Sequence, residues 1–215
     1  MTFSVFFRSL AAALIAAVFA GSLTSCKTAS TTASTTRGRI TSDQFDPPAH
    51  RPKNPSAVRV KLSTGAQRVY VVEGDRVLLA TPCSVGTAST PTPHGTFRIY
   101  SKNATRRRIS QPDAGYPMAY WMEFKMAYGM HWGFVKPYPC THGCVRMPMK
   151  SAAKVFAMVP SGAPLIIASS HPEDTTHGRN LPVIDDGPVP NPPRSYLLSS
   201  RFFEDARYKG NMFVD

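Results

Sequence analysis

Hydrophobic positions along the chain fall into short alternating runs separated by turn residues. Val58, Val60 and Leu62 alternate with Arg59 and Lys61, the pattern of a half-buried strand. Val69-Tyr70-Val71-Val72 and Val77-Leu78-Leu79-Ala80 flank Glu73-Gly74-Asp75, which predicts a hairpin, and Gly95 to Tyr100 supplies a further strand. From Met118 to Met130 every even position is large and apolar, so the period is two and the segment is read as strand, with its methionines facing the core. Its length predicts a bend near Lys125, and His131, continuing the odd face, should emerge opposite the apolar core. One helix is expected after Pro148, where Ala152, Val155, Phe156 and Val159 recur at helical spacing before Pro160 and Gly162. Leu165-Ile166-Ile167 then reads as a last buried strand, closing a mainly β domain over residues 56–169.

The flanks differ in character. Residues 1–25 read as a secretory signal, with Arg8 ahead of a short apolar segment from Leu10 to Ala20. Leu23-Thr24-Ser25-Cys26 resembles the bacterial lipobox, which would make Cys26 a lipidation site; an ordinary cleaved signal with an incidental Cys is the alternative. In a diderm cell, Lys27 after the lipidated Cys would imply the periplasmic face of the outer membrane. Residues 26–55 are Ser/Thr-rich and then Pro-rich with no hydrophobic period, and are expected to form a flexible tether. Residues 170–215 form a Pro-rich C-terminal extension whose aromatics, from Tyr196 onward, should pack back on the body.

Composition narrows the function classes. A chain of 215 residues with 42% apolar and 18% charged positions suits one domain with appendages, and excludes collagen, a disulfide-dense miniprotein and a long coiled coil. The net charge of +12 fits either nucleic acid or an anionic envelope surface. An export signal selects the envelope, so no nucleic-acid partner is expected. The run Arg106-Arg107-Arg108 reads as a solvated loop, with contact to an anionic glycan as the alternative.

Candidate chemistry gathers in Pro139-Cys140-Thr141-His142-Gly143-Cys144-Val145-Arg146. A thiolate near neutral pH needs a base or cationic surroundings, and His142 and Arg146 flank Cys144 while His131 lies upstream. Gly143 permits a tight turn, and amides beside a nucleophile can hold a developing oxyanion. With Cys26 lipidated, Cys83, Cys140 and Cys144 remain, an odd number, so one thiol should stay free or reactive unless it pairs between chains. A zinc site from His131, Cys140, His142 and Cys144 is disfavoured because Cys-x-His-x-Cys crowds its ligands on one short loop.

At these residues the segment from Val58 to Ser169 resembles the L,D-transpeptidase catalytic domain of the YkuD type. The resemblance rests on His131, then Thr141-His142-Gly143-Cys144 with Val145 and Arg146, and on a second signature in Ser84-Val85-Gly86 and Thr92-Pro93-His94-Gly95-Thr96-Phe97. It implies a β-sandwich or barrel with one short helix, needing no metal or cofactor. It implies Cys144 as nucleophile toward a peptidoglycan stem peptide and His131 as general base. Thr141, His142 and Gly143 would build the loop, with the Gly143 and Cys144 amides as oxyanion donors and His142 hydrogen-bonded within it. Arg146 would fix the loop or meet a substrate carboxylate, and Trp132 and Tyr120 would contribute to substrate binding. Trp132 stands where a small residue is common, so a backbone carbonyl is expected to orient the imidazole. Cys140 is unusual: it would pair with Cys83, leave both thiols free, or pair with Cys144 and silence the enzyme. The implied activity is formation of 3→3 cross-links through a thioester with release of terminal D-Ala, by a monomer. Hydrolysis of the thioester (L,D-carboxypeptidation) or its capture by a protein amine share the same chemistry. A non-catalytic wall-binding lipoprotein is the reading of another class.

Overall fold

The computed structural model describes residues 38–110 and 114–215. The signal segment, Cys26 and the first part of the expected tether lie outside the described residues. In chain order the strands are β1 (Arg39–Ile40), β2 (Val58–Ser63), β3 (Arg68–Glu73), β4 (Arg76–Pro82), β5 (Gly95–Arg98), β6 (Ser101–Arg107), β7 (Pro117–Lys125), β8 (Tyr128–Trp132), β9 (Val145–Met147), β10 (Pro164–Ala168) and β11 (Val183–Ile184). The helices are α1 (Met149–Met158), α2 (Glu173–Thr176), α3 (Arg194–Leu198) and α4 (Arg201–Asp205).

A five-stranded sheet runs in the order β4-β3-β2-β10-β5, and a four-stranded sheet in the order β6-β7-β8-β9. Pairing is antiparallel except for β2 with β10 and β8 with β9. The alternation in β2 and β3 places Val60, Leu62, Val69 and Val71 in one core with Met122, Phe124, Met130, Val145 and Met147 from the second sheet. Helix α1 contributes Ala152 and Val155 to that core, the face its periodicity predicted. The mainly β architecture with one principal helix is thus the observed one, and the C-terminal extension adds three short helices.

The long period-two segment is a hairpin, β7–β8, turning at Met126 and Ala127 just beyond the expected bend. Its alternation is not uniform, however. Ala119, Met122 and Phe124 face the core, whereas Met118, Trp121 and Glu123 line a cavity, so the inward phase switches between Ala119 and Met122. Between them Tyr120 sits at φ +58, the left-handed region that a strand residue avoids. A residue there turns the backbone without adding to the register, which stays constant along β6–β7. Met118 is therefore a cavity residue and not the core residue that even spacing suggested.

The tether expectation fails from residue 38 onward. β1 pairs in parallel with β11, and Phe45 joins Val135 and Ile184 in a second small core. Asp186, buried, accepts from the Ser42 amide at 2.7 Å, the Ser42 hydroxyl at 2.5 Å and the Val135 amide at 2.8 Å. Lys154 of α1, also buried, donates to Asp46 at 2.6 Å and to the Pro47 carbonyl at 2.7 Å. The segment is irregular but packed: single apolar anchors and side-chain hydrogen bonds hold it, and neither leaves a periodic trace. The C-terminal extension does pack back, through buried Leu197 and Phe202, with Phe202 lying 4.7 Å from the Trp132 ring.

Candidate active site

The loop bearing Cys144 is held by the second sequence signature. Ser84 bridges to Arg146 through both backbone groups, and the Val85 carbonyl accepts the amides of Cys140 and Thr141, each at 3.0 Å. Thr92 spans the two signatures: its Oγ1 accepts the Gly86 amide at 2.9 Å and donates to the Gly143 carbonyl at 3.0 Å. At Gly86 a Cβ would stand 2.2 Å from the Thr90 carbonyl oxygen, so only glycine lets these backbones meet. Gly143 has φ +106, and a Cβ there would lie 2.4 Å from the Tyr128 ring. Thr141, buried, donates to the Cys144 carbonyl at 2.6 Å and accepts the Gly143 amide at 3.1 Å. The Gly143 amide is therefore engaged within the loop, not presented to an oxyanion. His142 is exposed on the cavity wall, not tied into the loop as expected.

His131 and Cys144 line the same cavity, of about 470 Å³. β8 and β9 run side by side in parallel, with His131 opposite Arg146, which brings His131 and the Cys144 loop to one end of the sheet. His131 is only 4% exposed. Its Nδ1 lies 2.5 Å from the Trp132 carbonyl; a carbonyl can only accept, so Nδ1 carries the proton and Nε2 keeps its lone pair. Burial, against the opposing pull of that hydrogen bond and with help from Arg146 and Arg108, lowers the imidazole from 6.5 to about 4. Burial also pushes the Cys144 thiol up, while the Gly129 amide and Arg146, Arg108 and Arg106 favour its thiolate. The thiol donates a long contact to the Ala127 carbonyl at 3.7 Å. At neutral pH the resting pair is a thiol and a neutral imidazole, with cations around them that stabilise the anion formed when the proton moves.

Of the expected substrate-binding residues, Arg146 lines this cavity, while Trp132 and Tyr120 do not. Trp132 packs in the core between Tyr116 and Phe202, and its contribution is the carbonyl that orients His131. Tyr120 packs its ring 5.6 Å from that of Phe156, donates to the Ala206 carbonyl at 2.9 Å and accepts the Tyr208 amide at 3.3 Å, so it clasps the C-terminal extension. Phase inversion at Tyr120 is why an aromatic next to the site in sequence faces away from it. Cys83 and Cys140 are both free. Cys83 points into the core, where burial pushes its thiol up to about 12, whereas Cys140 sits half-buried on the Cys144 loop. Neither disulfide considered for Cys140 forms.

Several cavity residues escaped the sequence reading. Trp121 lies 5.6 Å from the His131 ring and donates through Nε1 to Glu123 at 3.2 Å. Arg106 and Arg108 also line the cavity, whereas Arg107 turns away to the carbonyls of Gly115, Leu197 and Ser199. The run is thus not a solvated loop: Arg106 and Arg107 lie in β6, whose alternation sorts the cations between site and extension. That alternation, continued from Ser101, was the signal available for it.

The sequence profile of the L,D-transpeptidase catalytic domain (YkuD) matches residues 57–167, just over half of the chain. The YkuD protein of Bacillus licheniformis is 30% identical over 118 residues, covering 51% of this chain and 66% of that protein. The YkuD protein of Bacillus subtilis strain 168 is 31% identical over 114 residues, covering 50% and 64%. The matched region thus spans somewhat less than two thirds of either relative. Among solved structures, an L,D-transpeptidase (Yku) from Stackebrandtia nassauensis superposes with a TM-score of 0.48 at 22% identity, covering 58% of this chain and 60% of that one. With the profile match covering both sequence signatures and the loop they build, the chain belongs to the family of L,D-transpeptidase catalytic domains of the YkuD type.

Proposed function

We propose that this protein is a peptidoglycan L,D-transpeptidase that forms 3→3 cross-links through a thioester on Cys144. The observation that carries the reading is a neutral imidazole, His131, held by the Trp132 carbonyl in the tautomer of a base, on the cavity that also contains Cys144. A donor tetrapeptide enters with the bond between its third residue and terminal D-Ala against the sulfur. His131 Nε2 takes the thiol proton as Sγ attacks the carbonyl carbon, and the Cys144 amide holds the resulting oxyanion. The C–N bond then breaks, His131 returns its proton to the leaving D-Ala amine, and the acyl group remains as a thioester. An amine on a neighbouring stem attacks next; His131 accepts its proton, the new amide forms and the thiol is regenerated. Because both partners start neutral, a thiolate appears only with substrate in place, where Arg106, Arg108 and Arg146 stabilise it.

Export and lipidation at Cys26 belong to the same proposal, since the polymer lies outside the cytoplasmic membrane and a lipid at Cys26 would hold the protein on a membrane surface facing it. Mass analysis of detergent-extracted protein would carry a diacylglyceryl group on Cys26, lost in Cys26→Ala.

The test of the reaction is product mass after the purified protein is given disaccharide-tetrapeptide, alongside Cys144→Ala. A dimer lighter by one D-Ala, absent from the variant, is the expected outcome. Tripeptide monomer alone would replace transpeptidation by carboxypeptidation, and a folded protein that turns nothing over and whose Cys144 resists alkylation would point to a binding role.

A further inference from the structure

Trp121 takes no part in the proposed proton transfers, yet several features of the fold fix where its ring lies. In the register of β7 with β8, Met122 pairs with Met130, and the next step sets Trp121 across from His131. Trp121 is 2% exposed, the centre of its ring lies 5.6 Å from that of the imidazole, and it shares the cavity wall with Cys144. Tyr120, immediately before it, holds φ +58, and the reversal of facing there lets Met118 and Trp121, three residues apart, line the same cavity. Gly129 of β8 supplies a seat: a Cβ there would stand 2.6 to 2.7 Å from three carbons of the indole, so the ring rests directly on the glycine backbone. The indole Nε1 donates to Glu123 at 3.2 Å, and the Arg106 guanidinium carbon, from β6 on the other side of β7, stands 4.6 Å from the ring centre. Gly129 matters to Cys144 as well, because its amide favours the thiolate, and it lies two residues before His131 on β8. The stretch of β8 under the indole therefore carries both the imidazole and an N–H that serves the sulfur.

Resting on the proposed reaction, we infer that Trp121 is a positioning residue, whose ring clamps β8 from Gly129 to His131 and sets the imidazole toward Cys144. Among the described residues the imidazole has one hydrogen bond, from Nδ1 to the Trp132 carbonyl. One bond leaves a ring free to tilt about it, and an aromatic neighbour at this separation, here with 35° between the planes, restricts that tilt. The same indole helps to keep water from His131, which is 4% exposed. The charged groups on this cavity wall are Arg106, Arg108, Glu123 and Arg146, and its other imidazole and thiol are His142 and Cys144. All of them stay in the chain when Trp121 is replaced, so a change in His131 would report the loss of the ring. A base held by its neighbours in this way loses rate when a neighbour is trimmed, because a displacement of about 1 Å between reacting groups can cost as much as a hundredfold.

The experiment compares the wild-type protein with Trp121→Leu, Trp121→Phe and Gly129→Ala by two readouts: kcat and KM on disaccharide-tetrapeptide, and titration of the His131 imidazole by proton–nitrogen NMR. Trp121→Leu should lose at least about tenfold in kcat with KM within about twofold of wild type. Its imidazole should titrate at least about one pH unit higher, as water reaches it. Trp121→Phe, which keeps an aromatic face, should recover most of both changes. Gly129→Ala retains Trp121 but lifts the ring from its seat, and should reproduce the losses of Trp121→Leu; if Trp121→Leu does not fold, this variant decides by the same readouts. A kcat that stays at the wild-type value, a loss confined to KM, or an unmoved imidazole titration would overturn the inference and leave the transpeptidase reading standing. A folded wild-type protein that turns nothing over, with no acyl adduct on Cys144, would remove both.

Discussion

The lowered basicity of His131 has a thermodynamic counterpart that unfolding experiments can read. In the unfolded chain the imidazole titrates at its ordinary 6.5, and in the folded protein burial holds it at about 4. Between those pH values the unfolded state binds a proton that the native state refuses, so stability must fall as pH falls through this window. At 1.36 kcal/mol per pH unit the penalty amounts to about 3 kcal/mol, nil above about pH 7 and nearly all felt by about pH 4. With 4% exposure, solvent screening does little to reduce it. Carboxylates held low in the native state, Glu173 among them, also lose their contribution in acid, so wild-type data alone would be ambiguous. His131→Gln removes the ambiguity: it cannot titrate, and its amide still has an N–H for the Trp132 carbonyl. Urea midpoints of both proteins at pH 7, 6, 5 and 4.5 give the difference directly. The wild type should lose about 1 kcal/mol relative to the variant for each pH unit below 6. Parallel loss in the two proteins would mean that burial does not lower the basicity of His131.

Four further outcomes test other parts of the structure. A carbapenem should leave a covalent adduct on Cys144 by intact-mass spectrometry, absent in Cys144→Ala and formed at least about a hundredfold more slowly in His131→Gln, which has no base to take the thiol proton. Gly143→Ala forces a Cβ toward Tyr128 at φ +106, and should cost about 2 kcal/mol in urea unfolding while slowing acylation, because the loop must shift to relieve it. Lys154→Met breaks two charged hydrogen bonds to the N-terminal segment; with Asp46 39% exposed and able to rehydrate, the loss should be about 2 kcal/mol at unchanged m-value. Tyr120→Phe should leave KM for the donor unchanged but expose the segment after Ala206 to limited proteolysis, separating its clasp role from substrate binding.

What could be read in the sequence was what repeats or what forms a contiguous motif. Alternation and turn residues found β2, β3, β4, β5, β7, β8 and β10 but neither β6 nor β9, helical spacing found α1, and the motif around Cys144 with His131 marked Thr141, His142, Cys144 and His131, which share the cavity. The misses have a common physical origin in single, non-periodic events. One left-handed residue, Tyr120, reversed the facing of a strand that otherwise alternates, and nothing in the identity of a tyrosine announces a positive φ. Residues 38–55 looked like a tether because their order comes from Asp186, Lys154 and Leu78, all distant in sequence. Three consecutive arginines looked like a solvated run, since sequence alone does not say that β6 continues far enough to divide them between two faces.

The order β4-β3-β2-β10-β5 also governs how the protein is made. β10 is the last strand of the five-stranded sheet in the chain, yet it sits between β2 and β5, and β5 has no other neighbour in that sheet. A chain emerging from its N-terminus can form the β2–β3–β4 meander early, since those contacts are local, but β5 must wait for Ala168 before it can join. Helix α1 leads directly into β10, so its docking and the insertion of that strand are one late, long-range event. The Cys144 loop is strung between β8 and that helix, and its anchors at Val85 and Thr92 lie in the segment that leads into the waiting β5. The Cys144 site is thus assembled near the end of folding, and a partly synthesised chain carries Cys144 as an ordinary thiol with no cavity around it.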